Sequence, residues 1–409
     1  MSARALVLLV LAGCGDNVAP MVEAARFPAV ANPQLDLVIV VSNETSTEGL
    51  RMDFSTALPA MRMVLGELDT MPSMHVGVIT PDMGTTTSSG AVAPAIGVLG
   101  SGGCAGAGAD GRFETEGLNA GATFLVEESG VTNASLPFND ALATLVRHSS
   151  GIGCGVQQSF TALRRSLTNP ANGAFLRPDA NLAVLLVADE DECSVAAPAF
   201  LAGPFPSLVD FSCARAGLIC DEDIETPGIK TNCRSNPSST AIEDVGTYVD
   251  FLSSLKSDRS QISVASIVGD PSPLTVNVTG GSWSMAGSCD VAAGQLNAFP
   301  GVRDAQLAMS FGGVVESVCP LDLTPAARDV GHAIKRLIQD PCVSDNASDN
   351  CVATIDGHEL PRCPSTGSCY ALVEDLRACP DSTDHRRMTL QGDASGMVVL
   401  RCEPTSPSP

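Results

Sequence analysis

Four runs of almost unbroken apolar residues constrain the fold of this chain more than any other feature. They are LDLVIVVS (35–42), MHVGVIT (74–80), NLAVLLVA (181–188) and ISVASIVG (262–269). A strand with one solvated face alternates apolar and polar residues, whereas a strand covered on both faces is apolar throughout. The runs therefore predict buried strands of a mostly parallel sheet that is flanked by helices.

Segments with helical periodicity lie between and after these runs. Apolar side chains three or four residues apart predict helices over residues 156–167, 240–258 and 324–340. Thr324 and Pro325 provide an N-cap and a first-turn residue for the last of them. Because strands alternate with helices, the sequence predicts an α/β class with a Rossmann-like, doubly wound sheet.

Length and charge narrow the range of functions. A chain of 409 residues is long enough for one main domain and an appendage. Its formal net charge of −23 repels the phosphate backbone, which argues against a nucleic-acid partner. Cations or a basic surface are the partners that this charge favours.

The N-terminus has the features of an export signal. Residues 1–13 carry one basic residue and a short apolar run, and they end in Leu-Ala-Gly before Cys14, which resembles a bacterial lipobox. This pattern predicts a lipoprotein signal peptide, lipidation of Cys14 and a membrane contact through that lipid. Residues 14–34 contain three prolines among small residues and predict a tether. We therefore expect an exported protein that is lipid-anchored in the cell envelope, in the outer membrane and facing either the periplasm or the cell surface.

The cysteine count agrees with export. Of fifteen cysteines, fourteen remain after Cys14, which is enough for seven disulfides in an oxidising compartment. Chain position suggests that Cys104 pairs with Cys154 and Cys289 with Cys319.

Cysteines also mark two segments of different character. Residues 341–409 hold six cysteines and little helical periodicity, which predicts a small disulfide-rich C-terminal module after a main domain at 35–340. Residues 193–240 hold four more and predict a disulfide-rich insertion in that domain.

Ligands of open parallel sheets bind beyond the carboxyl ends of the strands, so the loops that follow the strands matter most. They are Ser42-Asn43-Glu44-Thr45-Ser46, Pro81-Asp82-Met83-Gly84 and Asp189-Glu190-Asp191-Glu192. Four successive carboxylates repel one another unless solvent or a cation relieves the repulsion. The third loop therefore suggests a cation at this edge.

Several of these segments together resemble the von Willebrand factor type A domains of bacterial lipoproteins. The segments are SNETS, VGVITPDMG, GIGCGVQQSFTALRRSL, LLVADEDECS and SVCPLDLTP, and the resemblance runs from about residue 35 to 340. It implies a Rossmann-like sheet and, in the metal-competent members of the family, a metal-ion-dependent adhesion site.

The resemblance also implies that this adhesion site is degenerate. The family's first loop normally reads Asp-x-Ser-x-Ser, and a Thr and an Asp from two other loops complete the site. Here Ser42 and Glu44 replace the leading Asp and the first Ser, whereas Ser46 is retained. Asp189 matches the later Asp, and residues 152–155 offer no hydroxyl in place of the Thr.

Two interpretations of this edge remain open. In the first, one divalent cation (Mg²⁺, Mn²⁺ or Ca²⁺) is held by oxygen ligands of Ser46, Asp189, Glu44 and Asp191. In the second, no metal binds, and hydrogen bonds from polar side chains to the backbone hold the loop. Under either interpretation the binding loops would present Ser42, Asn43, Thr45, Asp82 and Glu190.

A weaker motif, Gly106-x-Gly108-x-x-Gly111, fits a dinucleotide-binding fingerprint but precedes no helical pattern. With Cys104 beside it, we expect a disulfide-anchored surface loop.

The function that these features favour is adhesion-type binding of an envelope or extracellular protein or polysaccharide, with no enzymatic activity. Binding requires surface rather than a catalytic constellation. The alternatives are a structural scaffold of the envelope and, third, a secreted hydrolase, for which the sequence offers no nucleophile and base pair.

Overall fold

The computed structural model describes residues 21–28, 32–68, 70–149, 153–202, 209–289, 291, 296–338, 342–343, 347–376, 379, 384–392 and 396–404. Contacts divide the chain into two compact units. The large unit is Ala31–Gln339, and the small unit combines Met1–Val30 with Asp340–Pro409. The signal peptide at 1–13 and the lipidation residue Cys14 lie outside the described residues.

The strands are numbered along the chain. They are β1 (Val22–Pro28), β2 (Gln34–Val41), β3 (Ser73–Ile79), β4 (Leu125–Glu128), β5 (Val131–Thr132), β6 (Asn181–Val187), β7 (Leu218–Ile219), β8 (Gly228–Lys230), β9 (Arg234–Ser235), β10 (Ile262–Val268), β11 (Leu274–Thr279), β12 (Ser282–Met285), β13 (Val315–Ser317), β14 (Ala347–Ile355), β15 (His358–Leu360), β16 (Cys369–Glu374), β17 (Arg386–Gln391) and β18 (Met397–Pro404).

The α-helices are numbered in the same way. They are α1 (Glu48–Leu65), α2 (Phe138–Arg147), α3 (Ser159–Thr168), α4 (Pro198–Leu201), α5 (Val209–Gly217), α6 (Val245–Ser253), α7 (Val302–Ser310) and α8 (Thr324–Ile338). Among the described residues, none of these helices combines the length and the apolarity needed to cross a bilayer.

A mixed sheet organises the large unit. Within the described residues its seven strands have the order β13-β10-β6-β2-β3-β4-β5. The first five of that order are parallel to one another, whereas β4 pairs antiparallel with both β3 and β5. In register, Val38 of β2 lies between Gly77 of β3 and Val184 of β6, so β2 is central.

Helices cover both faces of this sheet, as the apolar runs predict. Alternate residues of β2 enter two separate cores: Leu37 and Ile39 pack with α1, α2 and α8, while Val38 and Val40 pack with α3, α6 and α7. A strand that contributes to two cores gains nothing from polar residues on either face. The protein is therefore a mixed α/β protein with a helix-flanked sheet.

The three helices predicted from periodicity are present as α3, α6 and α8. Helices α1, α2, α4, α5 and α7 are not predicted from the sequence. The first of these contains Pro59, which removes a backbone donor and normally argues against a helix interior. Here the ring of Pro59 lies on the exposed face, while neighbours such as Leu58 and Met61 are buried.

Seven disulfides join cysteines within the described residues. They are Cys104–Cys154, Cys193–Cys213, Cys220–Cys233, Cys289–Cys319, Cys342–Cys379, Cys351–Cys402 and Cys363–Cys369. Both pairings suggested by chain position are confirmed. The predicted insertion at 193–240 holds two of these bridges, and its strand β8 joins β11 and β12 in a small sheet.

The small unit differs from the sequence expectation at its N-terminal end. Its main sheet has the order β1-β18-β14-β15, and β16 pairs with β17. The segment expected as part of a tether at 14–34 therefore contains a strand, because Val22–Pro28 pairs antiparallel with β18. Main-chain hydrogen bonds form this pairing, and Pro28 is tolerated at the end of an edge strand. The C-terminal module expected at 341–409 is thus completed by residues from the start of the chain.

Candidate binding site at the sheet edge

The carboxyl ends of β2 and β6 bring the first loop against Asp189. The Ser42 N–H donates to the carbonyl oxygen of Val187 at 3.0 Å, which extends the strand pairing by one residue. The first loop then forms a short 3₁₀ turn at Thr45–Thr47 and enters α1. The structure thereby places Ser46 beside Asp189, two of the residues that the sequence predicts together.

Two side chains donate hydrogen bonds to the Asp189 carboxylate. The Ser46 hydroxyl reaches Oδ2 at 3.3 Å. The Gln157 amide nitrogen lies 3.5 Å from Oδ1 and donates to the Ser42 hydroxyl oxygen at 2.7 Å. Gln157 precedes α3 by two residues and was not identified from the sequence. It lies two residues after the segment 152–155, in which the family resemblance implies a threonine.

Arg51, in the first turns of α1, is a second residue, after Gln157, that is not predicted from the sequence. Its Nη1 donates to the carbonyl oxygens of Ser42 at 3.3 Å and Glu44 at 3.1 Å, and to the Thr47 hydroxyl at 2.8 Å. Burial lowers the pKa of this guanidinium from its ordinary value, and the charges of Glu48 and Asp189 oppose that shift. The first loop is thus wrapped around a buried positive charge.

The other residues predicted for the binding loops have different surroundings. Ser42 and Asn43 are buried, whereas Glu44 and Glu190 are half-buried. The side chain of Thr45 lies outside what the structure describes. Asp82 accepts a hydrogen bond from the Gly84 N–H at 2.8 Å, and burial raises its pKa. Asp82 therefore shapes its own turn.

Asp191, predicted as a metal ligand beside Asp189, belongs to a different cluster. Its Oδ1 accepts from the backbone N–H groups of Arg303 at 2.8 Å and Asp304 at 3.4 Å, at the N-terminus of α7. A carboxylate is stabilised at this end of a helix, because unpaired N–H groups and the helix dipole face it. Asp191 consequently points toward α7.

The same cluster contains a buried ion pair. The Arg303 guanidinium donates to Glu192 Oε2 at 2.8 Å, and the Glu192 N–H donates to Asp304 Oδ2 at 3.1 Å. Burial raises the pKa of Asp191 to about 7 and that of Glu192 above its ordinary value, despite Arg303. The pKa of Asp304 rises well above its ordinary value, through burial and the charges of Asp191 and Glu192.

The arrangement around Asp189 does not fit a divalent cation. In the described part of the chain, no three or more His, Cys, Asp or Glu side chains are grouped so that they could hold a metal ion. Ca²⁺ and Mg²⁺ take several oxygen ligands. Here an amide nitrogen donor lies against Ser42 and Asp189, and Arg51 adds a positive charge to the same loop.

A long loop between β3 and β4 reaches the same edge. Cys104–Cys154 ties it to the segment before α3, where the Gly155 N–H donates to Gly102 O at 2.9 Å. That segment also contacts the first loop, because the Gly153 N–H donates to Asn43 O at 3.2 Å. The glycine motif at 106–111 lies in this loop, as expected, and its three glycines have positive φ.

The loop carries large apolar side chains in solvent. Val98 is 71% exposed and Leu99 is 64% exposed, between the turn at Gly97 and the glycines that follow. Exposed apolar residues on a loop held by a disulfide are typical of contact surfaces. Sequence offers only a faint signal for this surface, namely two apolar residues among glycines.

Comparisons with known proteins give only distant likenesses. The sequence matches no protein-family model and no curated protein sequence. Among solved structures, it is similar to proximal thread matrix protein 1 of the mussel byssus, with a TM-score of 0.33 and 11% identity over 79% of this chain and 52% of that one. This chain therefore spans about half the length of the mussel protein.

Two further structures show likeness of the same order. One is a von Willebrand factor type A protein from Catenulispora acidiphila, with a TM-score of 0.33 and 10% identity over 96% of this chain and 68% of the other. The second is an adhesive tip pilin from Group B Streptococcus agalactiae, with a TM-score of 0.28 and 11% identity over 93% of this chain and 81% of that one. At such TM-scores no activity or partner is transferred to this chain.

Proposed function

We propose that this protein is an exported, lipid-anchored binding protein of the adhesion type, without enzymatic activity, whose large unit is a von Willebrand factor type A domain. The strand order supports the domain assignment. Counting β2, β3, β4, β6, β10 and β13 as strands one to six, the order across the sheet is 3-2-1-4-5-6. This is the order of Rossmann-like sheets, in which ligands bind beyond the carboxyl ends of the strands.

The observation that carries the proposal is the exposed tip Val98-Leu99 on a loop stapled to that edge. A stapled loop loses little conformational freedom on binding, which favours affinity. Apolar residues on a rigid support give a partner something to bury, while the polar first loop beside it can form hydrogen bonds at the rim. The partner is an envelope or extracellular protein or polysaccharide that binds this edge of the sheet, and Cys14 carries the membrane anchor.

The test is binding of the oxidised, non-lipidated full chain to isolated cell envelopes and to purified matrix components. The double substitution Val98→Ser and Leu99→Ser should reduce binding at least about tenfold, because two contact side chains lose their apolar burial. Val131→Ser is a matched control, since Val131 is 70% exposed on β5.

Unchanged binding by the double variant would contradict the proposal and favour a scaffold role, in which other surfaces make the contacts. Equal loss in the Val131→Ser control would show that the binding measured is nonspecific adsorption of exposed apolar residues. Lipidation is tested separately by mass analysis of the N-terminal peptide, where Cys14→Ala should abolish the lipid mass.

A further inference from the structure

We infer that Arg51, together with Gln157 and Ser46, takes the place of a divalent cation at Asp189, so that this edge of the sheet works without metal. The inference deepens the proposed function, since it concerns the same edge. Its test, however, measures the melting temperature of the isolated protein and needs no partner. The two proposals can therefore fail independently.

The buried Asp189 carboxylate requires a compensating positive charge or hydrogen bonds. Asp189 is only 1% exposed, and a buried carboxylate is costly unless a positive charge or several hydrogen bonds compensate it. Arg51 is 9% exposed, and its charge interacts with that of Asp189. A guanidinium stays ionised under all ordinary conditions, so it provides this compensation permanently.

The oxygen atoms of the first loop surround the Arg51 guanidinium. In a cation site, oxygen atoms gather around the ion. Here the loop oxygens gather around Nη1 of Arg51, which donates hydrogen bonds to the carbonyl oxygens of Ser42 and Glu44 and to the hydroxyl oxygen of Thr47. Thr47 in turn donates to the carbonyl of Glu44 at 2.8 Å, so the loop is closed around the guanidinium.

Gln157 and Ser46 provide hydrogen-bond donors to the Asp189 carboxylate itself. Gln157 is 1% exposed, and its amide nitrogen is directed at the Ser42 hydroxyl and at Asp189. Ser46 donates to the other oxygen of Asp189. Both carboxylate oxygens therefore accept from protein N–H or O–H groups.

The substitution at position 42 fits this arrangement. A leading aspartate there would add a second buried carboxylate, which is the charge that a divalent cation requires. With serine in that position, the charge of Arg51 opposes that of Asp189 alone, and an incoming divalent cation would meet the fixed charge of Arg51. Repulsion between these like charges opposes its binding.

The experiment measures the melting temperature of the oxidised, non-lipidated full chain in EDTA and in millimolar Mg²⁺, Mn²⁺ or Ca²⁺. We expect the same Tm in all four solutions. Arg51→Met should lower the Tm, and Asp189→Asn in that background should recover part of the loss, because the negative charge that Arg51 offsets is then gone as well. Arg177→Met is the matched control. It breaks a partly buried ion pair, in which Arg177 Nε lies 2.8 Å from Asp36, and Asp189→Asn should not rescue it.

A cation-dependent rise in Tm that Asp189→Asn abolishes would overturn the inference, and so would strictly additive losses for Arg51→Met and Asp189→Asn. If Arg51→Met does not fold, the cation titration of the wild type and of Asp189→Asn decides alone. Loss of envelope binding in these variants is measured in a separate experiment and tests only the proposed function.

Discussion

Asp189 contacts the first loop through Ser46 and Gln157, whereas Asp191, two residues later, contacts the N-terminus of α7. Both are buried carboxyl groups from one acidic run, and the protein stabilises them differently. At Asp189 the compensation is a nearby guanidinium and neutral donors. At Asp191 three carboxyl groups, those of Asp191, Glu192 and Asp304, share a single guanidinium, that of Arg303, with their pKa values raised.

The difference shows how burial decides the chemistry of a side chain. Where positive and negative charges balance, the carboxylate can stay ionised in the interior. Where carboxyl groups outnumber the cations, some of them retain protons instead, because desolvation disfavours the charged form. The second arrangement makes the stability of the protein depend on pH. Substitutions of Arg303, Asp304 and Ser46, together with one pH series, separate the two arrangements.

The largest effect should come from Arg303→Met. Arg303 is buried and pairs with Glu192, and its guanidinium also donates to Ser235 Oγ at 2.8 Å. Removing it leaves buried carboxyl groups without their positive partner, which should lower the free energy of unfolding by about 3–5 kcal/mol. Urea denaturation of the oxidised chain measures this change.

Arg215→Met is the matched control for that substitution. Arg215 and Glu225 form a 3.4 Å ion pair whose side chains are 57% and 60% exposed. Exposed pairs contribute about 0–1 kcal/mol, so the control should change stability little. Similar losses in the two variants would show that Arg303 does not compensate a special excess of buried acid.

The next effect in size is the pH dependence of stability. Asp191 binds its proton more tightly in the folded state, with a pKa of about 7 against an ordinary 3.8. The folded state therefore holds more protons than the unfolded state between these values, and the free energy of unfolding falls as pH rises. This contribution is fully present below pH 3.8 and is lost as the pH passes about 7.

One proton changes the free energy of unfolding by at most about 1.4 kcal/mol per pH unit. Urea denaturation at several values between pH 5 and 8 should show this decline in the wild type. Asp304→Asn removes a carboxyl group whose pKa is raised well above its ordinary value, so one proton-binding group fewer contributes and the decline should become shallower. An equally steep profile in that variant would mean that other groups cause it.

Much of the fold can be predicted from the sequence because the signals are local. The four apolar runs mark β2, β3, β6 and β10, and side-chain spacing marks α3, α6 and α8. Strand β1 escapes prediction because its pairing with β18 depends on main-chain hydrogen bonds between distant segments, which leave no composition signal.

The candidate site, too, can be predicted only in part from the sequence. Ser46 and Asp189 follow adjacent parallel strands, so their proximity can be predicted from position alone. Arg51 looks like an ordinary helix residue until α1 packs against the sheet. Asp191 cannot be assigned from the acidic run, since its partner is the N-terminus of α7, more than a hundred residues later in the chain. A run of acidic residues thus marks a loop at the carboxyl edge of the sheet, but it does not show which of its side chains face the candidate site.

The smallest effect should follow Ser46→Ala, which tests whether charge or hydrogen bonding dominates at Asp189. The hydroxyl makes one bond of 3.3 Å to the carboxylate, and hydrogen bonds to charged groups contribute about 1.5–3 kcal/mol to the free energy of unfolding. If Arg51 and Gln157 provide most of the compensation, the loss should lie at or below the lower end of that range. A loss above about 3 kcal/mol would exceed the contribution of one hydrogen bond to a charged group and would make Ser46 the principal partner of Asp189. Such a result would remove the contrast with Asp191, because the charge of Arg51 would then not be what stabilises the Asp189 carboxylate.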